Sequence, residues 1–170
     1  MTLTLRSETP ADIDAIARLT AAAFLHAPHS SHTEHFIVDA LRRHGQLTVS
    51  LIAEKDDAIV GHVALSPVEI SSGATEWFGL GPISVLPECQ AQGIGTLLMR
   101  AALSEIQRQG AQGCVLLGDP AYYGRFGFKP EPSLVLPGVP PEYFQALSFG
   151  GEMASGNVSY HDAFNATSAG

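Results

Sequence analysis

The sequence predicts a mixed α/β sandwich, with about six to seven strands in a central sheet and about four helices covering it. Three patterns carry that expectation. Short apolar runs rich in Val, Ile and Leu alternate with stretches whose apolar residues recur every three or four positions, which is strand alternating with helix. Residues 80–99 read as strand, turn and helix, and residues 114–117 follow as an unbroken apolar run, as expected of a strand covered on both faces. A strand–helix–strand unit of this kind sets its two strands parallel. Residues 47–53 and 59–68 are separated only by the turn Lys55-Asp56-Asp57, which joins them as an antiparallel hairpin, so the sheet is mixed.

Taken in order, residues 2–5 alternate polar and apolar and form a first strand. Thr9 then reads as an N-cap, with Pro10 at the first helical position and Asp12 in the first turn. Ile13, Ile16, Ala17, Leu19, Ala23 and Phe24 give a core-facing stripe that runs to about residue 26. Residues 26–35 hold His26, His29, His32 and His35. Pro28, Ser30 and Ser31 argue for a loop there, no cysteine joins the histidines, and no HExxH pattern occurs, so a polar loop beside a substrate cleft is expected and a metal site is not. Phe36, Ile37, Ala40 and Leu41 mark a second helix over residues 33–44, which Gly45 stops. After the hairpin, Ser71-Ser72-Gly73 turns the chain back into a strand over residues 77–85. The helix that begins near Ile94 ends at Gly110. Residues 130–141 contain five of the eleven prolines, which leaves room only for short strands such as 135–136 and 158–160.

At 170 residues the chain suits one domain, residues 1–170, able to bury roughly two-thirds of its unfolded surface. Its net charge of −8 weighs against nucleic acid, whose binding is driven by Lys and Arg meeting phosphates. The same charge suits a cationic amine. No run approaches the length of a membrane span. Cys89 and Cys114 lie far apart behind an N-terminus without a charged-then-apolar leader, so reduced thiols and a cytoplasmic protein are expected. The oligomeric state stays open, a homodimer included.

The chemistry concentrates between the strand ending at Val85 and the helix starting at Ile94, in Gln90-Ala91-Gln92-Gly93-Ile94-Gly95-Thr96. Two glycines permit close backbone approach, and the first amides of the helix lack intrahelical partners. With the partial positive charge of the helix N-terminus, they favour a phosphate or diphosphate. A P-loop is excluded, because Thr96 and Leu97 stand where Lys and Ser or Thr are required. A dinucleotide fingerprint is excluded too, because Leu98 stands where its third glycine belongs. The letters resemble instead the acyl-CoA pyrophosphate loop of the GNAT superfamily of N-acetyltransferases: Gln or Arg, two residues, Gly, any residue, Gly or Ala. Gln90, Gly93 and Gly95 fill that pattern, with Val85-Leu86-Pro87 before it and Leu97-Leu98 after it. A second stretch, from Gly118 to Phe128, is similar to the family's short helix with Tyr, three residues, Gly and Phe, here Tyr123, Gly127 and Phe128. Together the two stretches resemble the YhbS-type branch, over a core of residues 1–130. Residues 131–170 are the variable part near the acceptor site.

The resemblance implies an acyl-CoA fold whose fourth and fifth strands splay around the pantetheine arm, acetyl-CoA as donor, no metal, and a small or peptide amine as acceptor. Residues Ile83, Ser84, Val85, Gln90, Ala91, Gln92, Gly93, Ile94, Gly95 and Thr96 would hold the cofactor, with the backbone amides of residues 83–85 as oxyanion donors. Tyr123 would be catalytic, donating a proton to the departing thiolate; a reference pKa of about 10 keeps a tyrosine protonated at neutral pH. Tyr122 falls outside the pattern and reads as a packing residue. Histone-type members carry a glutamate base eleven residues before the loop glutamine. Here that place is Gly79, which leaves Glu76, His62 or a water chain as alternatives. Asp119 either serves at the strand end or caps the helix behind it. The missing glutamate also admits a CoA-binding module without transfer.

Overall fold

A computed structural model describes residues 3–27 and 30–167; Thr2, Pro28 and His29 lie outside the described residues. The chain begins with β1 (Leu3–Ser7). Thr9 then caps a 3₁₀ turn: the Asp12 carboxylate accepts from the Thr9 amide and hydroxyl at 2.7 and 2.9 Å. The turn leads into α1 (Ile13–Phe24). Helix α2 (Glu34–Arg43) ends where Gly45 takes φ +68°. Strands β2 (Val49–Lys55) and β3 (Ala58–Ile70) form the expected hairpin, its turn built on Asp56 and Asp57 with φ of +53° and +64°. Aspartate is among the residues that adopt this left-handed conformation. Then come β4 (Trp77–Val85), α3 (Ile94–Arg108) and β5 (Gly113–Leu117). The four-residue α4 (Pro120–Tyr123) follows, and then β6 (Lys129–Pro130), β7 (Leu134–Val135), β8 (Phe144–Ser148) and β9 (Gly156–Tyr160).

The sheet runs β1-β2-β3-β4-β5-β8-β6, antiparallel except for the parallel β4–β5 pair, and β9 joins the far end of β3 while pairing with β7. The described residues therefore hold nine strands where six to seven were expected. The strand expected at 135–136 is β7, one residue earlier, and the additional ones are the two-residue β6 and, more consequentially, β8. Its sequence, Phe-Gln-Ala-Leu-Ser, carries a fully buried Gln145 and no β-branched residue, so neither propensity nor alternation marks it as a strand.

Helix α3 covers one face of the sheet. Its Ile94, Leu98, Met99, Ala102 and Ile106 pack on Ala53, Val60, Val63 and Leu65. Helices α1 and α2 cover the other, through Ile16 and Val38 on Ile52. Alternation along β2 thus sends Ile52 and Ala53 to opposite layers.

Strand β4 is irregular in two places. Between Leu80 and Ile83 it advances three residues while β3 advances two, so Gly81-Pro82 bulges out of the ladder. And β4 pairs with β5 only at Trp77, Phe78 and Gly79, opposite Gly113, Cys114 and Val115. Beyond Gly79 the two strands part, leaving a gap between them.

Candidate active site

The gap opens into a cleft of about 470 Å³. One wall is β4 and the loop after it. Ile83 and Val85 face the cleft, and Gln90 ties the loop to the strand end by donating from Nε2 to the Val85 carbonyl at 3.1 Å. Ala91 and Gly93 take φ of +62° and +85°, and Gly93 caps α3. A Cβ on Gly93 would meet no atom within 4 Å, so the demand for glycine is conformational. The earliest carbonyl bond of the helix runs from the Leu97 amide to Gly93 at 3.1 Å, which leaves the amides of Ile94, Gly95 and Thr96 without partners in the helix. Ala91, Gly93, Ile94, Gly95 and Thr96 all line the cleft.

Two further residues that the sequence assigns to the cofactor do not line it. Gln92 is exposed and accepts from Lys55 Nζ at 3.3 Å. Ser84 alternates to the opposite face of β4, where it is 2% exposed.

The second wall is α4 and the turn behind it. Asp119 caps α4, accepting from the Ala121 amide at 2.9 Å, which assigns it to structure. Tyr123 and Tyr122 meet edge to face at 4.8 Å. Tyr123 is held from below by Gly118, where a Cβ would lie 2.2 Å from its ring, so a glycine there is what lets the ring cross the backbone. Burial raises the Tyr123 pKa above its ordinary value, with Tyr122 and Asp119 acting in the same direction, so the phenol keeps its proton through neutral pH.

Tyr122 does pack, and it also lines the cleft; its hydroxyl would sit 3.1 Å from a Cβ on Gly95. Arg125 lies over the Tyr122 ring at 4.5 Å and lines the cleft as well. Sequence reasoning passes over it. The signal is an arginine inside the Tyr-rich motif of a chain with only nine Lys and Arg. Cys89 lines the cleft too, whereas Cys114 is buried and its thiol is pushed well up by desolvation, which keeps it inert.

On the far side of β4 lies a buried polar chain. His62 on β3 is fully buried and is the cross-strand partner of Ser84. Its Nε2 is 2.8 Å from Ser50 Oγ, Ser50 donates to Glu8, and Glu8 accepts from Arg42 Nε and Nη2 at 2.8 and 2.9 Å. Burial lowers the His62 pKa to about 4, against the pull of Glu8. Among the described residues no hydrogen-bond partner meets His62 Nδ1, Ser84 Oγ or Ser66 Oγ. Glu76 takes a left-handed φ of +62° just before β4. The ring of Tyr160, on β9, lies over Gly79, where a Cβ would come within 2.4 Å of it. Among the described residues no group of His, Cys, Asp and Glu gathers to hold a metal ion, and no helix is long and apolar enough to cross a membrane.

Comparison with known proteins bears on this arrangement. A family model described as an acetyltransferase (GNAT) domain matches residues 4–130. The chain is 35% identical over 126 residues to YhbS of Escherichia coli K12, described as an uncharacterized N-acetyltransferase; the match covers 74% of this chain and 72% of that protein. A crystal structure of a GNAT family acetyltransferase from Brucella melitensis in complex with acetyl-CoA superposes with a TM-score of 0.86 at 47% identity, over 96% of this chain and 98% of that one. The crystal structure of E. coli YhbS in complex with CoA gives 0.85 at 32% identity, over 98% and 93%.

Proposed function

The chain belongs to the GNAT acetyltransferase family, N-acetyltransferases that use acetyl-CoA, and from that premise we propose that it acetylates a primary amine by direct attack within a ternary complex. The observation that carries the reading is the cleft itself. Unpartnered amides at the start of α3 stand on one wall and a protonated, half-buried Tyr123 on the other, across the gap between β4 and β5. The residues present fit the donor. Open space above Gly93 admits a diphosphate, three free amides can bind it, and Arg125 adds a cation from the facing wall.

Bound there, acetyl-CoA supplies an activated acyl thioester. The amides of Ile94, Gly95 and Thr96 bind its diphosphate, and Gln90 holds their loop to the end of β4. Backbone amides of Ile83 to Val85 orient the acyl oxygen and stabilise the negative charge that develops on it. The Tyr123 hydroxyl carries the proton that the departing sulfur needs, and its raised pKa keeps that proton in place until then.

The test is release of free CoA thiol from acetyl-CoA in the presence of a panel of alkylamines, arylamines and peptides. Thiol release that depends on amine, with the acetylated amine recovered, is the expected result. Acetyl-CoA binding without transfer to any amine would leave a CoA-binding module.

A further inference from the structure

The loop that joins β6 to β8, residues 131–143, is built around a hollow of about 500 Å³. The loop is anchored to the end of the chain: Leu134 and Val135 pair with Gly156 and Asn157 of β9, the Gly156 amide donates to the Ser133 carbonyl at 2.8 Å, and Ser133 Oγ donates to the Ala154 carbonyl at 3.1 Å. Leu134 and Phe144, both buried in the second core, form the floor. Apart from Glu131 and Glu142, every residue that lines the hollow has an apolar side chain. Pro130, Pro132 and Pro141 are among them, and their fixed φ leaves the wall little freedom to lose when a ligand enters.

The hollow lies at the same end of the sheet as the cofactor cleft. Strand β8 runs antiparallel to β5, and its first residue, Phe144, stands directly opposite Leu117, the last residue of β5. Opposed residues share a face, and adjacent strands lie about 4.8 Å apart, so the hollow begins one strand away from the end of β5. Leu117 is 45% exposed there, an apolar step toward Phe144. The next residue, Gly118, is bonded to both neighbours of Phe144. Its amide donates to the Tyr143 carbonyl at 3.0 Å, and its carbonyl accepts from Gln145 Nε2 at 3.0 Å. Gly118 is also the residue that the Tyr123 ring crosses. One backbone junction thus ties the wall of the cleft to the wall of the hollow.

Resting on the acetyl-transfer reading above, we propose that this hollow takes the hydrocarbon part of the acceptor, and that the acceptor is an apolar primary monoamine of the alkyl or arylalkyl class. The class follows from the chemistry of the lining. A primary alkylamine is a cation at neutral pH, and the charged residues lining the hollow are two carboxylates with no Lys or Arg beside them. Among the described residues neither Glu131 nor Glu142 forms an ion pair. The carboxylates draw the cation in, the hydrocarbon enters the hollow, and the nitrogen is left toward Gly118, on the side of Tyr123. A peptide is a poor occupant, because its amide groups would find no partners on the apolar wall.

The first test is kcat/KM along the series ethylamine, butylamine and hexylamine in the wild type, which should rise about 3- to 4-fold for each added methylene until the hollow is filled. A flat or falling series overturns the proposal. The second test reads binding without turnover, through hexyltrimethylammonium, which keeps the charge and the chain and has no N–H bond to break. It should bind saturably in the absence of acetyl-CoA and shift the methyl signals of Leu134, Val135 and Leu136. Val135 is 46% exposed, so Val135→Asp opens no core; it should abolish probe binding and flatten the amine series. Glu131→Gln combined with Glu142→Gln should weaken the probe several-fold and leave the binding of neutral hexanol unchanged. Unchanged probe binding in Val135→Asp, or an equal loss for probe and hexanol in the glutamine variant, overturns the proposal as well.

Acetylation of amines with a flat series and no probe binding would leave the transferase reading standing and remove the hollow from it. Probe binding by a chain that acetylates no amine would mean that the transferase reading has failed, and the acceptor role of the hollow falls with it. A wild type that sediments as a dimer, separated by Val135→Asp, would give the hollow to a second copy of the chain and overturn the proposal.

Discussion

At the scale of single residues, Tyr123 separates chemistry from binding. Tyr123→Phe keeps the ring that crosses Gly118 and its edge contact with Tyr122, and removes only the hydroxyl. Loss of general-acid assistance should lower the single-turnover rate on the order of 10²-fold, with acetyl-CoA affinity nearly unchanged. A wild-type single-turnover rate across the pH range would make Tyr123 a packing residue. Tyr123 is picked out by the resemblance of the local Tyr, Gly and Phe pattern to the family's motif, which is confined to a few consecutive residues. Arg125 is equally close in sequence and goes unread, because what gives it meaning is the ring of Tyr122 beneath it and the loop across the cleft, a long-range fact. The place of the Ser84 side chain goes unread for a related reason. Its neighbours on both sides line the cleft, and alternation along the strand turns its hydroxyl away from them.

At the scale of elements, the decisive unit is the β4–loop–α3 passage, whose strand and helix start are readable because an apolar run, a proline stop and helical periodicity succeed one another without ambiguity. Its function can be tested through charge. At about 100 times its dissociation constant, acetyl-CoA should stabilise the wild type by roughly 2.7 kcal/mol, a shift of several degrees for a chain of this size. Gly93→Asn and Gly93→Asp both place a side chain at φ +85°, a conformation Asn and Asp tolerate better than other residues. Only the aspartate sets a negative charge at the diphosphate position. The expected result, read by thermal unfolding with and without acetyl-CoA, is a reduced shift in Gly93→Asn and none in Gly93→Asp; equal shifts in both would remove the loop from the site. Strand β8 shows where such reading stops. It is made a strand by its neighbours β5 and β6, which supply backbone partners on both sides, so Gln145 is buried there in spite of its polarity.

For the molecule as a whole, the buried polar chain makes folding depend on pH. Native His62 stays neutral down to about pH 4, while in the unfolded chain it protonates near 6.5. Between those values the unfolded state binds more protons, so stability is fully present above pH 6.5 and declines as pH falls, by roughly 3 kcal/mol once pH 4 is reached. Urea unfolding at pH 7.5, 6.5, 5.5 and 4.5 should show that slope, and His62→Gln should flatten it; an equal slope in the variant would assign the acid sensitivity elsewhere. The layered sandwich and the parallel β4–β5 pair are legible because periodicity reports burial. The joining of the chain's end to β3 is not, because nothing in residues 156–160 names its partner. That junction bears on how the protein can change. The ring of Tyr160 fills the space over Gly79 where any β-carbon would begin, so a carboxylate cannot be introduced at residue 79 one substitution at a time: Gly79→Glu collides with the ring, and shrinking Tyr160 first opens a hole in the second core. Each single step is expected to cost more than the pair, with Val68 Cγ1, 3.2 Å from a β-carbon at residue 79, having to give as well, so the two positions form an epistatic unit.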